Sequence, residues 1–171
     1  MKQFTVGARG WIAGAMGAAL LAGALSIGSV ALAQDQSAAT PKDVIFARKI
    51  LMDLIGRHMD DLEGMTSSGK IDLAEGHDHA DSISVMLMAF PHLFPPNSNE
   101  WKPNVERDPG RDTFAAPELW TSYADFYKRA AAASKVAYEA SRAEKADQFK
   151  TIVGELRLAC DSCHGIYFKQ P

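Results

Sequence analysis

The stretch LRLACDSCHGIYFKQP, residues 156–171, contains the only two cysteines of this 171-residue chain. Cys160 and Cys163 are three positions apart, and His164 follows the second of them directly. On an α-helix, positions i, i+3 and i+4 lie on one face, so the two thiols and the imidazole would point in the same direction. This arrangement indicates a shared binding site, whose nature depends on the compartment of the chain.

The amino-terminal segment predicts export. Basic residues without acids precede an uncharged apolar run that reaches Val30, and residues 31–33, Ala-Leu-Ala, form a cleavage site. A basic start, an apolar middle and small residues at the cut are typical of a secretory signal peptide. The run is long enough to be an uncleaved membrane anchor instead, but its many glycines and alanines and the cleavage site favour removal. We therefore expect residues 1–33 to be cleaved.

Cleavage would leave residues 34–40 as a disordered lead-in and residues 41–171 as one domain, without stable membrane insertion. The leader holds Lys2 and Arg9, so the mature part has 16 basic residues against 21 acidic ones. This acidic balance argues against a nucleic-acid partner, because phosphates need a basic surface.

An exported Cys-x-x-Cys pair has several interpretations. A disulfide between the two cysteines would close only a very short loop and would not link distant parts of the chain. A redox pair usually opens a helix in a βαβ setting, which this chain lacks, and a zinc site needs a second pair. Cys-x-x-Cys-His is the attachment signal for a c-type haem. We favour one covalent haem c, bonded to Cys160 and Cys163, with His164 as the proximal ligand of the iron.

The apolar residues recur at helical spacing, and no segment alternates in the manner of a strand. Thr40, Pro41 and Asp43 provide the cap that starts the first helix. The four predicted helices have the approximate bounds 41–65, 72–90, 117–141 and 143–164. A long connection with five prolines between Pro91 and Pro109 separates the second from the third. These elements predict an all-α, antiparallel four-helix bundle with the haem in its core.

An exported bundle with this motif on its last helix resembles the class II c-type cytochromes, which comprise cytochrome c-prime and its low-spin monohaem relatives. Four segments carry the resemblance: ARKILMDLIGRHM (47–59), FPHLFPPNS (90–98), APELW (116–120) and ACDSCHGIY (159–167). The second of them is similar to the low-spin relatives more than to cytochrome c-prime itself.

The resemblance implies roles for further residues. Arg48 matches an arginine near a haem propionate, and Met52, one turn on, matches the residue that faces the distal side of the iron. Tyr167 matches the aromatic residue three positions after the histidine. Phe168 departs from the family, which usually carries Arg or Lys there at the mouth of the proximal pocket, and Lys169 follows it.

Met52 decides between two functions. If its sulfur binds iron, the haem is low-spin with His/Met ligation and a raised potential, as in an electron carrier. If Met52 only packs, the iron is five-coordinate and binds NO or CO for scavenging or sensing. The low-spin likeness favours the carrier, so we predict a periplasmic cytochrome that moves single electrons between redox proteins and is not an enzyme. The resemblance allows a monomer or a homodimer joined through the first two helices.

The segment GHDHAD, residues 76–81, is a weaker candidate site. His77 and His79 flank Asp78 and could contribute to a metal site. Residues two apart on a helix face different ways, however, so we expect a solvated helix start.

Overall fold

The computed structural model describes residues 39–104 and 112–169, so the predicted signal peptide and most of the lead-in lie outside the described residues. Four long helices form the bundle: α1 (Pro41–Ser68), α2 (Leu73–Ala89), α4 (Tyr123–Ala140) and α5 (Ala146–Tyr167), with the short α3 (Glu118–Thr121) before α4. Helix α2 packs between α1 and α4, and α5 packs on α4 and α1. The predicted all-α bundle is confirmed.

Helix α1 begins with the predicted cap. The Thr40 backbone N–H donates to the Asp43 carboxylate at 2.9 Å, and the Asp43 N–H donates to the Thr40 hydroxyl at 3.3 Å. This reciprocal pair satisfies two N–H groups that have no partner within the helix. The helix ends at Gly69, whose φ of 69° is the left-handed conformation that glycine adopts without a steric cost.

Helix α2 approaches the start of α5 closely. Its N-cap is Asp72, whose side chain accepts from the N–H groups of Ala74 and Glu75. One turn later, Gly76 faces the Phe149 ring, and a Cβ added at Gly76 would lie 2.5 Å from the ring atom Cζ. Only glycine lets the two elements pack at this distance.

The interior consists of two adjoining hydrophobic clusters. The larger one joins α1, α2, α4 and α5 around Met59, Leu62, Ile83, Phe149 and Leu156. The smaller one is largely aromatic and comprises Phe90, Phe94, Leu119, Phe126 and Tyr167. Leu51 and Met52 of α1 pack against both clusters, which places this turn of α1 at their junction.

The connection between α2 and α3 folds back onto the bundle. Two short 3₁₀ helices, Phe90–Leu93 and Pro96–Ser98, follow α2 directly. The prediction of one continuous third helix is wrong, because the helix is interrupted at Ser122 (φ −120°, ψ 34°). The break lets two neighbouring rings reach the connection: Trp120 Nε1 donates to the Pro95 carbonyl at 3.2 Å, and the Tyr123 hydroxyl donates to the Pro91 carbonyl at 2.8 Å.

Helix α5 begins at Ala146, three residues later than the predicted start at Ala143. After its last residue, Ala115 and Phe168 form an isolated antiparallel bridge. In the described ranges, no helix is long and apolar enough to cross a membrane.

Candidate functional site

A cavity of about 220 Å³ lies between α1 and α5, where the two hydrophobic clusters meet. Helix α5 contributes Cys160, Cys163 and His164 to its lining, and α1 contributes Met52 and Arg48. The remaining lining residues are mainly aliphatic and aromatic and include Ile55, Met59, Leu87, Phe90, Phe94 and Phe126. The structure therefore brings together all six residues that sequence analysis assigned to the site, since Tyr167 also lines this cavity.

Both cysteines are free and half-buried at the cavity wall. Burial raises the pKa of Cys160 and raises that of Cys163 to about 11, because the low-polarity surroundings disfavour the thiolate. Two protonated thiols one turn apart on an apolar wall are suited to addition across two unsaturated carbon groups of a flat apolar molecule. They are poorly suited to redox exchange, which needs the thiolate.

The imidazole of His164 lies one residue beyond Cys163, on the same side of α5. Burial lowers the pKa of His164, an effect that nearby Asp161 opposes and Arg157 reinforces. The neutral ring is the form that binds a metal ion. Within the described residues no hydrogen bond reaches this imidazole, and its ring contact is with Phe168, at 5.5 Å between centroids.

Phe168 is held by the connection that precedes α3. Besides the bridge to Ala115, the N–H of Lys169 donates to the Phe114 carbonyl at 2.8 Å. The rings of Phe114 and Phe168 lie 5.7 Å apart, and both line the cavity. The aromatic pair of Phe114 and Phe168 therefore occupies the position for which the family resemblance implies a basic residue.

Arg48 is the charged group buried deepest at the site, with 3% of its surface exposed. Its guanidinium donates to the Ser98 hydroxyl at 2.9 Å, the Ser98 carbonyl at 3.2 Å and the Thr113 hydroxyl at 2.5 Å. It also lies 4.6 Å from the centre of the Phe94 ring. Burial lowers the pKa of Arg48 to about 10. The negative charge of Glu100 acts in the opposite direction and raises this pKa, but its effect is smaller.

No carboxylate of the described residues forms an ion pair with Arg48, so a surface salt bridge does not explain this residue. A buried cation is stabilised by a negative group, and the neutral partners of Arg48 do not supply one. The cavity thus has a desolvated positive charge available to an anionic group of a bound molecule.

Tyr167 joins the cavity to α4. Its ring packs edge-on against Phe126 at 5.5 Å, and its hydroxyl donates to Asp125 at 2.7 Å. Asp125 also accepts from Arg129 at 2.6 Å, and Arg129 donates to Ser162 at 2.8 Å. This network fixes the turn of α5 that carries Cys163.

The histidines of α2 have other partners. His77 contacts the Ala143 carbonyl through Nε2 at 2.9 Å, and the Nδ1 atoms of His79 and His58 are 2.7 Å apart. The two side chains do face different neighbours, as predicted, but both are half-buried, so a solvated helix start is wrong. Among residues 39–104 and 112–169, no group of three or more potential ligands could hold a metal ion.

Sequence analysis missed Ser98, Thr113 and Phe114, which surround Arg48 and Phe168. All three lie in the connection between α2 and α3. Ser98 ends one of the segments that carry the family resemblance, but no periodicity indicates a role for any of the three. The sequence shows polar residues among prolines and aromatic residues in this connection. This composition does not indicate which helix the polar residues contact.

Comparison with known proteins gives one family. The sequence model of the family described as Cytochrome C' matches residues 43–167. No curated protein sequence matches the chain.

Solved structures share the fold. Cytochrome c' from Rubrivivax gelatinosus is 25% identical, with a TM-score of 0.64, and the match covers 76% of this chain and 98% of that one. A cytochrome c' with ligand-controlled dimer dissociation is 22% identical, with a TM-score of 0.66 and coverage of 78% and 100%. A cytochrome c prime variant from Alcaligenes xylosoxidans, in complex with nitric oxide, is 19% identical, with a TM-score of 0.65 and coverage of 77% and 98%.

Proposed function

Because the chain belongs to the cytochrome c' family, we propose that it binds a small neutral gas, nitric oxide or carbon monoxide, at the iron of its haem. The cofactor of this family is one covalently bound haem c. When bound, the haem supplies an iron ion that can take up one electron and can accept a ligand on a free face. The cavity between α1 and α5 fits such a group, because its lining combines two thiols, a neutral imidazole, apolar walls and one buried cation.

Each of these residues has a distinct role in the proposal. The sulfurs of Cys160 and Cys163 would hold the porphyrin covalently, and His164 would bind the iron. Arg48 would bind a propionate, which would provide the negative charge that its own partners lack. Tyr167, tied to Asp125, keeps the end of α5 in place.

The observation that carries the gas-binding proposal is the chemistry of the opposite wall. Beyond Arg48 and Lys49, the α1 and α2 residues that line the cavity are Met52, Ile55, Gly56, Met59 and Leu87. None of them donates a hydrogen bond from its side chain, and none carries a charge. A neutral diatomic molecule enters such a space without losing strong hydrogen bonds to water, whereas an anion or a polar substrate would lose them. The solved nitric oxide complex of a relative also supports this proposal over the electron carrier that sequence analysis placed first.

Electron transfer remains the second candidate, and one observation favours it. Met52 lines the cavity and packs at the junction of both hydrophobic clusters, so its thioether would be available as a second ligand of the iron. His/Met ligation would then suit single-electron exchange with other redox proteins.

An optical titration tests the two functions against each other. For gas binding, the purified haem protein has a high-spin spectrum that shifts when carbon monoxide is added, and Met52→Ala leaves the spin state unchanged. Met88→Ala is the matched control, since this methionine is half exposed on α2. A low-spin spectrum that does not respond to the gas and becomes high-spin only in Met52→Ala would overturn gas binding in favour of the carrier.

The assembly and the location belong to the same proposal. Helix α1 exposes Phe46 (64%), Ile50 (45%) and Leu54 (39%) on one stripe, and such large apolar side chains are stabilised when a partner covers them. A solved relative forms dimers that dissociate under ligand control. We infer a homodimer joined through α1, located in the periplasm after cleavage of residues 1–33.

A further inference from the structure

Metal-bound histidines are usually oriented by a hydrogen bond from their second ring nitrogen. The acceptor is a carboxylate, a carbonyl or a water, and it both fixes the ring plane and makes the imidazole a stronger electron donor. Among residues 39–104 and 112–169, no carboxylate or carbonyl accepts a hydrogen bond from the His164 ring. Its ring instead packs against Phe168, with 5.5 Å between centroids and 37° between planes.

The position of Phe168 is set by the backbone rather than by its own ring alone. The N–H of Phe168 donates to the His164 carbonyl at 3.1 Å, which keeps the two residues on one turn. The antiparallel bridge to Ala115 then attaches Phe168 to the connection before α3. The Phe114 ring contacts the Phe168 ring, with 5.7 Å between centroids.

We propose that Phe168, supported by Phe114, is the positioning residue of His164: contact with its ring fixes the plane of the proximal imidazole. This inference rests on the proposed attachment of haem through Cys160, Cys163 and His164.

Two consequences follow for the bound iron. One ring plane gives one electronic environment, so the ferric protein has a single set of narrow electron paramagnetic resonance signals. The strength of the bond between an imidazole and iron depends on the orientation of the ring, so a fixed ring plane also sets the reduction potential.

The test compares four variants of the haem-loaded protein. Phe168→Ala should broaden the paramagnetic resonance signals into more than one species and shift the reduction potential, because the imidazole is no longer held in one plane. Phe168→Tyr keeps the ring and should restore both properties. Ile166→Ala is the matched control, since Ile166 and Phe168 are each 42% exposed but Ile166 does not line the cavity. Phe114→Ala removes the support without touching His164 and should shift both readouts in the same direction by less.

Each outcome bears on one claim. If Phe168→Ala and Phe114→Ala give the signals and the potential of Ile166→Ala, the positioning role is overturned, although the haem remains attached. If the unmodified protein binds no haem covalently, the proposed function fails first. Should Phe168→Ala prove unstable in thermal unfolding, the comparison of Phe114→Ala with Ile166→Ala still decides the question.

Discussion

Two hydrogen bonds, of 2.6 and 2.8 Å, join the Arg157 guanidinium on α5 to the Glu63 carboxylate on α1. Parallel bonds of this kind fit the fork of an arginine to both oxygens of a carboxylate. Arg157 also lines the cavity, so the pair connects the two helices that enclose it. The bond to Arg157 holds the pKa of Glu63 below its ordinary value of 4.5, and the bond to Glu63 raises the pKa of Arg157.

Replacing Glu63 by Gln should lower the free energy of unfolding at pH 7 by about 1 kcal/mol, a small amount because both side chains are partly exposed and screened by solvent. The pKa of Glu63 is lower in the folded protein than its value of 4.5 in the unfolded chain. The ionised carboxylate therefore stabilises the folded protein above pH 4.5, and this stabilisation is lost as the pH falls through the lower, folded pKa. Urea unfolding should therefore show a gap between wild type and Glu63→Gln at pH 7 that narrows below pH 4.5. Asp161→Asn is the control, since Asp161 lies 4.0 Å from Arg157; a gap that widens in acid would contradict the prediction.

Replacing both Cys160 and Cys163 by Ser should abolish covalent attachment, because each sulfur supplies one bond to the porphyrin. Acid–acetone extraction should then remove the haem from the double variant but not from wild type. Ser162→Ala, which changes one of the two residues between the cysteines and loses one 2.8 Å bond from Arg129, should retain its haem. Retention of haem by the double variant would refute the proposed attachment.

Replacing Arg48 by Gln should lower the reduction potential, because an uncompensated propionate favours the ferric state. A loss of about 1 kcal/mol of attraction corresponds to about 40 mV for one electron. Potentiometric titration measures the shift, and Arg57→Gln is the control, since this residue of α1 has a side chain that is 71% exposed. Equal potentials in the two variants would show that Arg48 does not act on the haem.

Replacing Gly76 by Ala should destabilise the protein by about 1–2 kcal/mol, because the new methyl group would overlap the buried Phe149 ring. The same change at Gly154, where nothing lies within 4 Å, should stabilise it by about 0.5–1 kcal/mol through better helix propensity. Thermal unfolding of the two variants should thus move in opposite directions. A shift of the same sign in both would argue against the close approach of α2 and α5.

Replacing Phe46 by Glu should convert the proposed dimer into a monomer, because a buried charge without a partner costs several kcal/mol. Sedimentation equilibrium measures the mass. Leu158→Glu is the matched control, since Leu158 on α5 is 69% exposed and Phe46 is 64% exposed. If both variants keep the mass of the wild type, the stripe on α1 is not the interface.

Local chemistry made much of this structure predictable. The start of α1 follows from Thr40, Pro41 and Asp43, whose interactions span three residues and need no tertiary information. The spacing of Cys160 to His164 places them on one side of a helix wherever that helix packs. Apolar periodicity gave the four long helices for the same reason.

Contacts between distant segments were not predictable. The break at Ser122 accompanies hydrogen bonds from Trp120 and Tyr123 to the carbonyls of Pro95 and Pro91, which are 25 and 32 residues away along the chain, and no local pattern indicates these contacts. The partners of Arg48 are 50 and 65 residues away along the chain. The sequence placed Arg48 near the haem by resemblance and could not name what holds it.

The contact of Trp120 with Phe94, at 5.9 Å between ring centres, places an indole next to a residue of the cavity wall. A porphyrin in that cavity absorbs where indole emits, so it should quench the fluorescence of Trp120 by energy transfer. Unfolding should then appear as a rise in tryptophan fluorescence. This fluorescence can report the denaturation of the haem-loaded variants described above without an added dye.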